Sequence, residues 1–300
     1  MPNRVYCHIG LPKTATTSLQ LDCFPYVDNS RYFYLGVKQP RGEYTNDPLY
    51  ELILNAVYTG ENLEETNAAL NERIKEENKS IILSEEMLTV SSGNIAWQEK
   101  LARLMRVLEG TDYRILVSVR EPVSAMFSFY VELYQRFRSE KKSFLDLALS
   151  ANDFLIYRYD GLVQYLVDIF GESNIYFQRF EDLLNGNFDG VMRFLDCPEM
   201  DEAYTMIGNH NKKSRNANHI LVPVRFRLVW VTKLYNLIGG EKNIVARVVK
   251  RIIKPLLDKV KAENYRSITV PVLEERERND LKQRLSASMG KISERFGVKY

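Results

Sequence analysis

Three short stretches combine residue types that can do chemistry. The first is Gly10-Leu-Pro-Lys-Thr-Ala-Thr-Thr-Ser18, which follows the apolar, β-branched run Val5 to Ile9. A strand that turns into a helix exposes the unpaired backbone N–H groups of the first helical turn, and an anion settles on them. Lys13 adds a mobile cation, and Thr14, Thr16, Thr17 and Ser18 add hydroxyl donors around the small Ala15. The composition suits a phosphate-like group. It is not the nucleotide-hydrolysing loop, which needs Gly-x-x-x-x-Gly-Lys-Ser/Thr. Here the lysine stands three residues after Gly10 and directly behind Pro12.

The second stretch runs from Ile115 through Arg120, Pro122 and Ser124 to Ser128. A buried strand ends at the arginine, the proline opens a helix, and Ser128 lies about two turns in. A guanidinium offers a planar fork to phosphate, and a serine hydroxyl completes such a cradle. The plainer uses are a surface ion pair for Arg120 and a local helix role for serine, with Ser124 competing with Ser128. The third stretch is Ile81-Ile-Leu83 followed by Ser84-Glu85-Glu86. A carboxylate at the carboxyl end of a parallel strand faces the ligand crevice of an open α/β sheet. A helix N-cap or an exposed turn is the structural alternative for this pair. His8 sits inside a strand pattern and reads as a hydrogen-bonded core residue, while His210 and His219 fall in a basic surface region. No group of residues has metal-ligand spacing, so no metal is expected.

These stretches need elements to hold them. Val5 to Ile9, Ile81 to Leu83, Ile115 to Val119 and Ile175 to Phe177 are short and β-branched enough to be buried strands. Between them, Asn62 to Glu77 and Trp97 to Leu108 carry apolar residues at helical spacing. The alternation predicts an α/β fold, a P-loop-like parallel β-sheet with helices on both faces. Residues 36 to 60 mix glycine and proline with tyrosine and suggest an excursion over the sheet edge, either a substrate lid or an ordinary surface loop. Residues 1–220 form the expected core, and 221–300 a basic, helical C-terminal appendage packed on it. Within that region Arg225, Arg227, Lys233, Lys242, Arg247, Lys250, Arg251, Lys254, Lys259 and Lys261 face only Glu241 and Asp258.

The Pro-Lys-Thr-Ala-Thr-Thr run resembles the 5'-phosphosulfate loop of the sulfotransferases that use 3'-phosphoadenosine 5'-phosphosulfate (PAPS). Arg120 followed by Pro122 and Ser128 resembles that family's 3'-phosphate motif, in the same order and spacing. The resemblance reaches from the first strand to about residue 220 and is of the bacterial and carbohydrate-directed kind. It implies PAPS as co-substrate, adenosine 3',5'-bisphosphate as product, and an O-sulfotransferase activity without metal. Lys13 would contact the oxygen bridging phosphate and sulfate, and Thr14, Ala15, Thr16, Thr17 and Ser18 would hold the 5'-phosphate. Glu85 would be the base that takes the acceptor proton, with Glu86 next in line. Phe180 stands where the family has tyrosine before Glu-Asp-Leu; it could lie against the adenine or pack in the core. Lys213 and Arg215 resemble the late basic loop over the 3'-phosphate but lack its glycines.

The bulk numbers agree with such an enzyme. At 300 residues, 45% hydrophobic and 27% charged, the chain can bury a sizeable core. A net charge of +2 is too mild to indicate nucleic acid as partner. Cys7, Cys23 and Cys197 are too few and too scattered for a disulfide frame. The N-terminus carries neither a signal-peptide pattern nor a long apolar run, which points to the cytoplasm. The expected acceptor is a hydroxyl on a saccharide or glycolipid; a small-molecule or lipid alcohol is the nearest alternative. A non-catalytic nucleotide-binding protein of the same fold is the alternative of another class. The basic C-terminal region, with Trp230, Leu234 and Ile252, would either meet a polyanionic glycan or an anionic membrane face, or pack with its cations snorkelled to solvent.

Overall fold

The structure is a computed structural model that describes residues 3–37, 46–139, 143–197, 219–223 and 267–300. Five strands, β1 (Val5–His8), β2 (Tyr32–Tyr34), β3 (Ser80–Ser84), β4 (Tyr113–Val119) and β5 (Ile175–Arg179), form one sheet in the order β2-β3-β1-β4-β5. Every neighbouring pair is parallel. All carboxyl ends therefore lie along one edge, where the turns after β1, β3 and β4 meet. These are the turns that carry the three chemical stretches.

Both faces of the sheet are covered. Tyr6, Ile82 and Leu116 share a cluster with Leu19, Phe24, Val191, Phe194 and Leu195, while Val5, Cys7, Ile81, Leu83, Ile115 and Val117 are buried on the opposite face. Strands buried on both sides need near-continuous apolar runs, which is why the sequence shows them so plainly. Helix α9 (Asp189–Leu195) comes so close to β5 that a Cβ on Gly190 would stand 2.3 Å from the Phe177 carbonyl oxygen. His8 fills the centre. Its Nδ1 is 2.8 Å from Ser84 Oγ on β3 and its Nε2 is 2.9 Å from Ser118 Oγ on β4. Burial lowers its pKa to about 3, so it is a neutral core histidine, as the sequence pattern implies.

The excursion expected between residues 36 and 60 is in good part a helix, α2 (Pro48–Thr59). The Asp47 carboxylate accepts the Leu49 N–H at 2.8 Å, Pro48 opens the first turn, and Gly60 closes the helix at φ 78°. Leu49, Tyr50, Ile53, Ala56 and Val57 are buried, and the helix packs against α3 (Leu63–Glu77) and α4 (Trp97–Val107). Residues 38–45 lie outside the described residues.

The chain divides into two compact units: one comprises Met1–Tyr130, Lys141–Asn211 and Glu274–Tyr300, the other Val131–Glu140 and Lys212–Leu273. The boundary differs from an appendage beginning at residue 221. The last helices, α10 (Glu275–Ser286) and α11 (Gly290–Phe296), belong to the first unit, where α11 packs against α7 (Tyr159–Phe170). In the second unit β6 (His219–Pro223) and β7 (Ser267–Pro271) pair antiparallel, a two-stranded ribbon that the helical expectation omitted. The cations from Arg225 to Lys261, with Trp230, Leu234 and Ile252, lie outside the described residues.

Candidate active site

The chain leaves β1 still laddered to β4. Ile9 N–H donates to the Leu116 carbonyl at 3.0 Å, and Leu11 N–H to the Ser118 carbonyl at 2.9 Å. Gly10 adopts φ 93° between them, and a Cβ there would stand 3.1 Å from Glu86 Cα, so both its backbone and its smallness are used. Lys13 and Ala15 then take φ 67° and 68°, a region that costs an L-residue about 1 kcal/mol or more. Ala15 is followed by α1 (Thr16–Ser18), which continues as a π-turn over Leu19–Cys23. A left-handed residue ahead of a right-handed one is the backbone pattern of anion-binding nests. The N–H groups of Ser18 and Leu19 both donate to the Ala15 carbonyl, at 3.0 and 3.1 Å. The helix's own bonding thus begins at Ser18, and the amides ahead of it are those that a helix start leaves to a ligand.

The hydroxyl run divides its labour. Thr14 is fully buried and donates to the Leu11 carbonyl at 2.5 Å, which closes the loop. Thr16 donates to the Glu86 carboxylate, and Ser18 is buried. Lys13, Ala15 and Thr17 are half-exposed. Tyr157, itself buried, supports the loop from below by donating to the Pro12 carbonyl at 3.0 Å.

Arg120 begins the turn after β4. Its backbone is gripped by Tyr159, whose hydroxyl donates to the Arg120 carbonyl at 2.5 Å and accepts the Arg120 N–H at 3.2 Å. One guanidinium nitrogen donates to the Lys13 carbonyl at 3.3 Å, which ties the second anion-binding stretch to the first. Its Cζ stands 4.4 Å over the ring of Phe180, at the start of α8 (Phe180–Leu184). Burial lowers the arginine's pKa, with the charges of Glu181 and Glu121 opposing that shift. Glu121 caps α5 (Pro122–Ser139) by accepting the N–H groups of Val123 and Ser124 at 3.1 and 2.9 Å. The Ser124 hydroxyl donates to the same carboxylate at 2.5 Å and accepts from Arg278 at 3.0 Å. Ser124 is thereby committed to the helix start, whereas Ser128, a turn further on, is half-exposed. Lys213 and Arg215 lie outside the described residues.

The two glutamates point to different places. Glu85 N–H donates to the His8 carbonyl at 2.9 Å, and its buried carboxylate accepts Met87 N–H at 2.7 Å and the Tyr50 hydroxyl at 2.5 Å. Burial raises its pKa, against the pull of those two donors. Lys100 is nearby and wholly buried, with Nζ donating to the carbonyls of Met87 at 3.0 Å and Val90 at 2.6 Å and lying 4.3 Å over the Tyr58 ring. Burial lowers its pKa to about 8, with the charge of Glu85 resisting. Glu86 instead abuts Gly10 and accepts from Thr16. The structure therefore joins Arg120 to the Lys13 carbonyl and the Phe180 ring, joins Thr16 to Glu86, and engages Glu85 with Tyr50 and Met87.

Among the described residues no cluster of three histidine, cysteine, aspartate or glutamate side chains is placed to hold a metal ion. Nor is any of their helices long and apolar enough to cross a membrane. No family model and no curated protein matches the chain. Among solved structures it is similar to a sulfotransferase from Alicyclobacillus acidocaldarius, with 18% identity over 79% of this chain and 91% of that one and a TM-score of 0.40. It is also similar to the sulfotransferase domain from the curacin biosynthetic pathway, with 13% identity over 68% and 77% and a TM-score of 0.39.

Tyr50, Lys100, Tyr157 and Tyr159 are the members that sequence reasoning missed. Only Lys100 left a signal: with Trp97, Leu101 and Leu104 it falls on the apolar stripe of α4, where a cation is out of place.

Proposed function

We propose that the protein transfers a sulfuryl group from PAPS to a hydroxyl acceptor. The observation that carries the reading is the junction of the strained Gly10–Ser18 loop with Arg120, two cation-bearing turns on adjacent parallel strands joined by the bond from Arg120 to the Lys13 carbonyl. A donor with phosphates at both its 5' and 3' positions needs two such clamps; ATP, which lacks the 3'-phosphate, needs only one. In the reaction the acceptor oxygen attacks sulfur as the bond from sulfur to the bridging phosphate oxygen breaks, and adenosine 3',5'-bisphosphate leaves with that electron pair. Lys13 neutralises the charge growing on the leaving phosphate. The acceptor proton passes to a carboxylate. Glu86, which stands against Gly10 and accepts from Thr16 of the anion loop, is the candidate nearer the donor, and Glu85, which accepts from Met87 and Tyr50, is the alternative.

The acceptor proposed is a saccharide or glycolipid hydroxyl. A lipid or other apolar alcohol is the second reading, favoured by Met87, 41% exposed beside Glu86, and by the half-buried Tyr58 against it. Calorimetric titration with adenosine 3',5'-bisphosphate and with ATP, followed by PAPS turnover over a panel of acceptors, tests both parts. Preference for ATP overturns the donor, and bisphosphate binding without turnover on any acceptor points to a nucleotide-binding protein without chemistry.

A further inference from the structure

We infer that Glu85 and Lys100 are a pair of positioning residues that grip the single turn Glu86–Thr89 at its two ends and so fix Glu86 against the anion loop. The inference rests on Glu86 as the proton acceptor. The turn is a four-residue 3-10 segment, too short to sustain itself by its own hydrogen bonding. Glu85 stands at its N-terminal end, where its carboxylate takes the Met87 N–H. Lys100 reaches the other end, donating hydrogen bonds to the Met87 and Val90 carbonyls. An anion at the start and a cation at the finish complement the dipole of the turn. Met87 is held by both, through its N–H and its carbonyl.

Two further contacts fix the clamp from α2: the Tyr50 hydroxyl donates to Glu85, and the Tyr58 ring lies under Lys100. Burying an ammonium on the stripe of Trp97, Leu101 and Leu104 is costly, and methionine would fill the same space without that cost. What methionine would not do is satisfy two carbonyls of the segment that carries Glu86. A plain core staple and a positioning pair differ in one respect: the positioning pair acts through Glu86.

A double-mutant cycle reads that difference. Lys100→Met should lower kcat about 100-fold, the scale of a misplaced catalytic group, with affinity for adenosine 3',5'-bisphosphate within about twofold of wild type. In the Glu86→Gln background the same substitution should cost less than about threefold. Equal costs in both backgrounds would overturn the inference. Amide exchange supplies a readout that needs no turnover: Lys100→Met should speed exchange at residues 86–90 and at the loop 10–16 while the strands stay protected. Unchanged exchange at the loop would equally overturn it. Should Lys100→Met fail to fold, Glu85→Ala with rescue by Glu85→Gln takes its place in both measurements. Wild-type turnover in Glu86→Gln sinks the assignment of the base instead, and the exchange data still decide whether the clamp exists.

Discussion

The two ends of the sheet hold comparable sets of charges and use them differently. At the amino ends, Arg4 pairs with Asp112 and with Asp196, both at 2.7 Å, and Arg114 pairs with Asp196 at 2.6 Å. The Tyr6 hydroxyl adds a 3.5 Å contact to Asp196. Each cation there has a carboxylate. At the carboxyl ends Arg120 is set against a carbonyl and an aromatic face, and the nearest acids are turned to other work, Glu121 to a helix start and Glu181 to the Glu121 N–H at 2.9 Å. A cation held in place by groups that do not neutralise it keeps its attraction for an outside anion. Among the described residues, close ion pairs therefore mark the supporting end, while at the other end Arg120 is held by a carbonyl and a ring with the charges of Glu181 and Glu121 near it.

Substitutions at the two ends should separate activity from stability. The largest effect is expected for Lys13→Ala, about a thousandfold loss of kcat with PAPS from the missing neutralisation of the leaving phosphate, with the melting temperature nearly unchanged. Glu86→Gln comes next, with a loss of about a hundredfold or more in turnover and bisphosphate affinity retained; Glu85→Gln, which keeps an acceptor for Met87, should lose less. If the order of the two glutamates reverses in steady-state assays, Glu85 is the base. Arg120→Ala should weaken adenosine 3',5'-bisphosphate by about tenfold to a hundredfold in calorimetry and leave adenosine 5'-phosphosulfate, which has no 3'-phosphate, about as before. Equal weakening of both ligands would remove Arg120 from the 3'-phosphate. At the other end, Asp196→Ala should cost about 2 kcal/mol in urea unfolding and leave kcat alone. A catalytic defect in that variant would break the comparison.

Much of this arrangement is legible in the sequence. Strands buried on both faces announce themselves as apolar runs, and Val5, Ile81, Ile115 and Ile175 all fall where β1, β3, β4 and β5 lie. Helix α2 is the element the sequence reading takes for a loop: the glycines, prolines and tyrosines of residues 36 to 60 outweigh its end signals, Asp47-Pro48 at one end and Gly60 at the other. The choice between Glu85 and Glu86 was not legible. Consecutive residues leaving a strand point to opposite sides, and which side is the crevice depends on Tyr50, 35 positions upstream in sequence. Nothing local in the sequence reports such a partner.

His8 gives the working end one more property. Its ring joins β3 and β4 through Ser84 and Ser118, one residue before Glu85 and two before Arg120. Its pKa is about 3 in the folded protein and about 6.5 in an unfolded chain, so between those values the unfolded state binds more protons. Stability should therefore fall as pH drops from 6.5 towards 3. Burial disfavours the imidazolium, because two serine hydroxyls do not replace the water a cation gives up, and parting the strands that carry the candidate base and the arginine relieves that cost. Acid should thus disable catalysis and cooperative folding together, as a single transition in activity and circular dichroism, and an earlier loss of activity would assign the acid sensitivity to Glu86 instead.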